Sequence, residues 1–297
     1  MNNRQFRDLA KPYVVTDGRR FRLKDFDPKG PGKSEMQHDA KKFLKRSIKA
    51  INELQEKLYA QDRWGALLIF QAMDAAGKDS AIKHVMSGID PKGCQVYSFK
   101  APSSEELDHD FMWRTSKAMP ERGRIGIFNR SYYEETLIVR VHPEFLVKQK
   151  LPSALITKNI WKERFQDINA FERYLSRNGF VIRKFFLNVS RAEQRRRFLD
   201  RLTRPEKNWK FAIGDLSARE RWRAYMAAYE DTIRQTATPH APWVVIPADD
   251  KKFARTVVAA AVIDALNGLK LDFPELNDEQ KRDVVRARRL LQRESRR

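Results

Sequence analysis

Three stretches of the sequence gather residue types suited to handling phosphate. The first is Met73-Asp74-Ala75-Ala76-Gly77-Lys78-Asp79-Ser80. Small residues let backbone N–H groups close around an anion, and a lysine adds a positive charge on a flexible stem. Gly77 and Lys78 stand where a phosphate loop carries its final Gly-Lys pair, so Ala75, Ala76, Gly77, Lys78, Asp79 and Ser80 are read as phosphate-binding. The pattern has two departures: Ala72 replaces the first glycine, and Asp79 replaces the hydroxyl residue that normally holds magnesium. Asp74 puts a carboxylate inside the loop. Beside phosphates it suits a bridging Mg2+ or the positioning of an acceptor phosphate, and the alternative is a turn-stabilising Asx residue.

The second stretch is Asn129-Arg130-Ser131-Tyr132-Tyr133-Glu134-Glu135. Arg130 has the planar fork that grips phosphoryl oxygens. Asn129 can orient a water or a phosphate but cannot neutralise a metal, a task left to Glu134 or Glu135. The competing reading is a helix start, with Asn129 as cap and both glutamates favouring the dipole. The third stretch, Arg191 to Phe211, is dense in cations, among them Arg197, Arg201 and Lys210. Arg197 and Arg201 lie one helical turn apart and share a face; for any single one of these residues, the competing reading is a solvated basic helix.

Each stretch needs a scaffold. Ala66 to Phe70 is a continuous apolar run, as a strand buried on both faces should be, and it runs directly into the loop. Similar runs span Cys94 to Phe99, Arg124 to Phe128, Phe180 to Leu187 and Trp243 to Ile246. Helical patterns separate them, at about 78–88, 104–119, 132–140, 153–178, 190–202, 216–238 and 251–268, after a first helix from a Ser34 cap to about Asp62. Such alternation predicts a mainly parallel sheet with helices on both faces. In that architecture ligands sit beyond the carboxyl ends of the strands, where the first two stretches fall. Asn178-Gly179 reads as a helix stop. Residues 1–34 show no periodicity and read as an extended arm. Residues 271–297 read as a basic helical extension of a catalytic domain covering 35–270.

Charge narrows the partners. The 297 residues hold 59 Lys and Arg against 39 Asp and Glu, a formal charge of +20. Self-repulsion of that size opposes compaction, so a polyanionic partner is expected. A single cysteine, Cys94, excludes an intrachain disulfide and fits a reducing, cytoplasmic setting. The first residues show no apolar core of a secretory signal. The run from Val257 to Ile263 is too short to span a bilayer.

Taken together, these blocks resemble the polyphosphate kinase 2 family, the polyphosphate:nucleotide phosphotransferases. The resemblance rests on Met73 to Asp79, Ile82 to Gly88, Ser98 to Ser103, Arg122 to Glu134, Glu193 to Phe198 and Pro205 to Phe211, in order over about residues 35 to 250. It implies a P-loop kinase-like α/β/α fold with a five-stranded parallel sheet in the order 2-3-1-4-5 and a helical lid at about 195–217. It implies direct, reversible transfer of the terminal phosphoryl group of inorganic polyphosphate to a nucleoside mono- or diphosphate (AMP or ADP, with GMP or GDP as further candidates). The implied cofactor is Mg2+, with Mn2+ as substitute, and the implied assembly is a homo-oligomer, dimer or tetramer. Asp74 and Lys78 match the family's catalytic loop pair; Asn129 and Arg130 match its Walker B position. Glu134 and Glu135 fall where a one-domain subgroup contacts nucleotide or metal. Arg197 and Arg201 become the preferred lid arginines, Arg197 as catalytic. Asp74 and Glu134 become the metal ligands. Two other classes share parts of this pattern: an ATP-dependent nucleotide or small-metabolite kinase, and a non-catalytic nucleic-acid-binding protein.

Overall fold

Every residue of the strand Gly65–Gln71 is buried, which only a central strand covered on both faces achieves. The structure, a computed structural model, describes residues 3–31, 36–211 and 213–294. The Ser34 cap lies outside the described residues. The strands are β1 (Val14–Val15), β2 (Gly65–Gln71), β3 (Cys94–Ser98), β4 (Ile125–Asn129), β5 (Phe180–Asn188) and β6 (Trp243–Pro247). The principal helices are α1 (Asn3–Ala10), α2 (Met36–Gln61), α3 (Lys78–Val85), α4 (Ile160–Arg177), α5 (Arg191–Thr203), α6 (Trp222–Thr236), α7 (Lys251–Asn267) and α8 (Asp278–Glu294). Among the described residues, no helix is long and apolar enough to cross a membrane.

The sheet is six-stranded and mixed, in the order β1-β6-β5-β2-β4-β3. This corrects the expectation of a five-stranded, wholly parallel sheet in the order 2-3-1-4-5. β2 pairs in parallel with both β4 and β5, and β3 and β6 join their neighbours in parallel. β1 runs antiparallel to β6, with Val14 opposite Val244 and Val15 opposite Trp243. A strand of two residues is too short to display a period, so nothing in the sequence announces it. The segment read as an extended arm is also partly helical. Phe6 and Ala10 of α1 are buried, and α1 packs against α7.

Two helical groups cover the sheet. α1, α2 and α3 pack with α7, while α4 and α6 pack with each other and with the π-helical turn Glu135–Val139. Neighbouring residues of β5 report opposite faces, as the pleat requires. Arg183 senses Asp264 of α7, and Lys184 bonds to Glu172 of α4. Gly179, at φ +84°, lets the chain turn from α4 into β5. The long helix expected over 104–119 is interrupted: Ser103 caps a short helix, Ser104–Leu107, and a second turn spans Trp113–Lys117. Cys94 begins the edge strand β3, where burial pushes its thiol up to about 12. α8 is exposed along its whole length, Val284, Val285, Leu290 and Leu291 included.

Candidate active site

The phosphate loop leaves the end of β2 and enters α3, so the centre of the sheet places it. Gly77 caps α3 at φ +103°, a conformation that glycine adopts without steric cost. Ala75, at φ +62°, and Arg130, at φ +66°, have no such freedom. A left-handed backbone costs a residue with a Cβ on the order of 1–2 kcal/mol, so the surrounding contacts must enforce it at both places. The Arg130 backbone N–H donates to the Phe70 carbonyl at 3.0 Å, which joins the end of β4 to the start of the loop.

Side chains then converge. Arg130 Nη2 donates to Asp74 Oδ1 at 3.2 Å. Asn129 Nδ2 donates to Asp79 Oδ1 at 2.7 Å. Gln71, with its amide oriented to satisfy both ends, donates to Glu134 Oε1 at 2.7 Å and accepts from the Ser131 N–H and Oγ at 3.1 Å. The Lys78 ammonium has no hydrogen bond or ion pair among the described residues, although Glu134, Asp74 and Asp79 surround it closely enough to be felt. Burial, aided by Arg130, pulls the Lys78 ammonium below its ordinary range, against those carboxylates. The Glu134 carboxylate, with Asp74 adding to it, holds Arg130 above its ordinary range against burial. Asp74, Lys78, Arg130 and Glu134 are thus brought to one place. The same chemistry rules out the Asx-turn reading as a full account of Asp74, whose carboxylate engages Arg130.

Beside this cluster lies a cavity of about 260 Å3, lined among others by Lys100, His109, Phe111, Arg114, Arg130 and Glu134. Arg114 is held by the Lys100 carbonyl at 2.8 Å and lies over the Phe99 ring. Glu135 does not join the cluster with its charge free. It pairs with Arg164 at 3.2 Å and accepts from Gln149 Nε2 at 2.7 Å, and burial raises its carboxyl. It braces the cavity wall.

Arg197 departs from the expectation of a catalytic lid arginine. Its side chain is buried, and every donor of its fork is spent on protein. Nη1 donates to the Ala76 carbonyl at 2.6 Å and the Ala75 carbonyl at 3.1 Å. Nη2 donates to Ala248 at 2.6 Å and Asp249 at 3.0 Å, and Nε donates to Glu193 at 2.7 Å. An arginine has five N–H groups in a fixed fork, so none is left for a phosphate. Arg197 instead clamps the back of the loop, and its contact with the Ala75 carbonyl helps enforce that residue's backbone. Arg201 and Lys210 lie farther along, in the lid. Arg201 pairs with Asp215 at 3.7 Å, and Lys210 is exposed, 5.0 Å from the Trp209 ring centroid. No contact joins either to the loop in this arrangement of the described residues.

The sequence reading overlooked Glu172 and Lys184. Both are wholly buried and paired at 2.6 Å behind Tyr132 and Tyr133. The one available signal was a lysine inside the otherwise apolar run from Phe180 to Leu187, since a lysine there must find a partner.

An ammonium without a partner among the described residues, set between carboxylates at the end of a central strand, is equipped to receive a phosphoryl group, which makes phosphoryl transfer the chemistry to seek. Comparison with known proteins agrees. Residues 34–274 match polyphosphate kinase 2 (PPK2). An "ADP-polyphosphate phosphotransferase" of Rhodopseudomonas palustris is 45% identical over 283 residues, covering 95% of this chain and 98% of that protein. An "AMP/ADP-polyphosphate phosphotransferase" of Meiothermus ruber is 39% identical, covering 93% and 99%. The crystal structure of polyphosphate kinase 2 from Arthrobacter aurescens TC1 superposes with a TM-score of 0.83 at 40% identity, covering 93% of this chain and 96% of that one. This chain belongs to the polyphosphate kinase 2 family. It is accordingly a kinase that moves phosphate between polyphosphate and nucleoside mono- or diphosphates.

Proposed function

We propose that the transfer runs directly from the end of inorganic polyphosphate to AMP or ADP, with Lys78, Asp74, Arg130 and Glu134 as its working residues. The observation that carries this reading is their convergence at the end of β2 with Lys78 unpaired among the described residues. Phosphoryl transfer asks a protein for alignment and charge stabilisation more than for covalent chemistry. Lys78 meets the transferring phosphoryl group, whose charge restores the ammonium that burial disfavours. The backbone from Ala75 to Ser80 surrounds the neighbouring phosphate. Arg130 meets equatorial oxygens of the transferring group, a role worth roughly 10³–10⁵ in rate for an arginine so placed. Glu134 and Asn129 face the nucleotide. Guanine nucleotides are further acceptors on this reading.

Two hard oxygen donors, Asp74 and Glu134, flank the same cations, and no larger cluster of metal-ligating residues exists among the described residues. That set fits Mg2+, which binds through one or two carboxylates plus substrate phosphates. When bound, Mg2+, or Mn2+ in its place, neutralises charge between donor and acceptor phosphates. Asp74 and Glu134 hold it, and Arg130 fixes the Asp74 carboxylate.

Arg201 and Lys210 approach polyphosphate when the lid closes, which excludes competing water. We place the protein in the cytoplasm as a homo-oligomer, dimer or tetramer. The lone cysteine supports the first, and the uncovered apolar residues of α8 support the second. Light scattering tests the assembly. The decisive experiment is a nucleotide-by-donor matrix with Mg2+ and polyphosphate as sole donor, blanked with Lys78→Ala. ADP from AMP and ATP from ADP are expected; turnover with ATP as donor and none with polyphosphate would overturn the reading.

A further inference from the structure

Behind the site lies a closed hydrogen-bond circuit. Lys184 Nζ donates to Glu172 Oε2 at 2.6 Å, to Tyr133 Oη at 3.0 Å and to the Thr236 carbonyl at 2.7 Å, so all three of its protons are committed. Tyr133 Oη in turn donates to Glu172 Oε1 at 2.7 Å, and Tyr132 Oη donates to the same oxygen at 2.9 Å. Each partner therefore fixes the orientation of the next. Glu172, Lys184 and Tyr133 are fully buried, and Tyr132 nearly so. The Tyr133 ring packs edge-on against Trp243, 4.8 Å between centroids, and Tyr132 does the same on Phe171 at 5.8 Å. Trp243 Nε1 donates to Thr236 Oγ1 at 2.9 Å, tying the far side of the circuit to β6.

Stability is a poor reason for such a pair. Taking two charges out of water costs several kcal/mol per ion, and well-packed apolar residues of similar volume often do as well or better. Position is a better reason. The tyrosines lie between Arg130 and Glu134 in sequence, in a tight turn, Tyr132–Glu134, that Ser131 opens by accepting the Tyr133 N–H at 3.1 Å. Gln71 holds the front of that turn at Ser131 and Glu134. The circuit holds its back. Arg130 sits at φ +66°, a conformation that persists only where the surroundings over-determine it.

We propose that Glu172 and Lys184 are positioning residues, which act through the hydroxyls of Tyr132 and Tyr133 to hold Arg130 and Glu134 in register with the phosphate loop. The proposal rests on the reading above of Arg130 and Glu134 as substrate-facing. Burial lowers the Lys184 ammonium, against the pull of Glu172.

The test separates holding from folding. Lys184→Met alone leaves Glu172 uncompensated and should lower Tm sharply. Adding Glu172→Leu removes the stranded charge and should restore most of the lost Tm. Turnover should stay down, with kcat lower by about tenfold or more and KM for polyphosphate little changed, because misplacement of an aligning group is felt in the transition state. Recovery of kcat together with Tm would overturn the proposal. If the double variant fails to fold, Tyr133→Phe decides, since it keeps the ring and removes only the hydroxyl. A folded Tyr133→Phe enzyme with reduced kcat supports positioning, and one with wild-type kcat overturns it. Arg130→Ala, assayed in parallel, keeps the two readings apart. Undiminished turnover in Arg130→Ala would sink the site reading itself. An inactive Arg130→Ala beside a normal Tyr133→Phe would sink only the positioning.

Discussion

At the floor of the site Lys184 and Glu172 show no exposed surface and every donor is matched, whereas in the lid Trp209 is 78% and Ile213 77% exposed. Both regions are rich in cations, and they hold them in opposite ways. On the floor an arginine such as Arg197 is pinned by five protein oxygens. One residue earlier, Arg196 lies in solvent with a single carboxylate partner, Glu193. The contrast teaches that the density of positive charge between Arg191 and Lys210 does not by itself mark the chemistry. Arg130 faces the loop from an otherwise ordinary strand end, and Arg197, inside the dense stretch, is a clamp.

The contrast is broken most severely at Lys78. Lys78→Ala should cost roughly 10³-fold or more in turnover while Tm stays near wild type, because the ammonium makes no hydrogen bond or ion pair among the described residues. A matching drop in Tm would place Lys78 with the structural floor. Next comes Arg197→Ala, which leaves the Ala75, Ala76, Ala248 and Asp249 carbonyls without their buried donor and leaves Glu193 with Arg196 as its remaining partner. Urea denaturation should show a loss of about 3 kcal/mol, with activity falling because the loop loosens. Full stability with lost activity would return Arg197 to the lid.

Glu193 sharpens the boundary between the regions, since it bonds both Arg196 and Arg197. The Arg196 bond, aided by Arg197 and opposed by burial, holds its carboxyl below the ordinary 4.5. A depressed carboxylate contributes stability that is fully present above about pH 4.5 and is lost as pH falls through the lower folded-state value. Glu193→Gln should therefore flatten the acid limb of the stability profile, with a loss of about 1 kcal/mol at neutral pH. An unchanged acid limb would show the pair to be idle. The smallest effect is expected from Trp209→Ala in the lid, within about 0.5 kcal/mol of wild type by the same denaturation. A larger loss would mean that the lid is packed as firmly as the floor.

The parts that sequence reveals are those set by local periodicity and short motifs. The buried run from Ala66 to Phe70, the loop behind it and the basic helix from Arg191 were all legible because each carries its own pattern within a few residues. β1 was not, since two residues have no period, and its pairing with β6 is decided more than two hundred residues away. The same distance hid the work of Arg197. Nothing in Arg195-Arg196-Arg197 says which arginine points inward, and only the fold brings the Ala75 and Ala248 carbonyls to it. Glu172 was hidden in an amphipathic pattern in which a glutamate reads as surface, and its burial depends on Lys184 and two tyrosines from separate elements. Asp74 was legible as chemistry because a carboxylate inside a phosphate loop is conspicuous, yet its arginine partner was not.

Cys94 gives this architecture a practical property. It is the chain's only cysteine, and burial holds its thiol well above the range of an ordinary free cysteine, which lowers its thiolate content at neutral pH. The native thiol should therefore react slowly with maleimides and iodoacetamides. A cysteine introduced at exposed Ile213 should take a fluorophore ahead of Cys94, and the lid closure proposed above could then be timed optically.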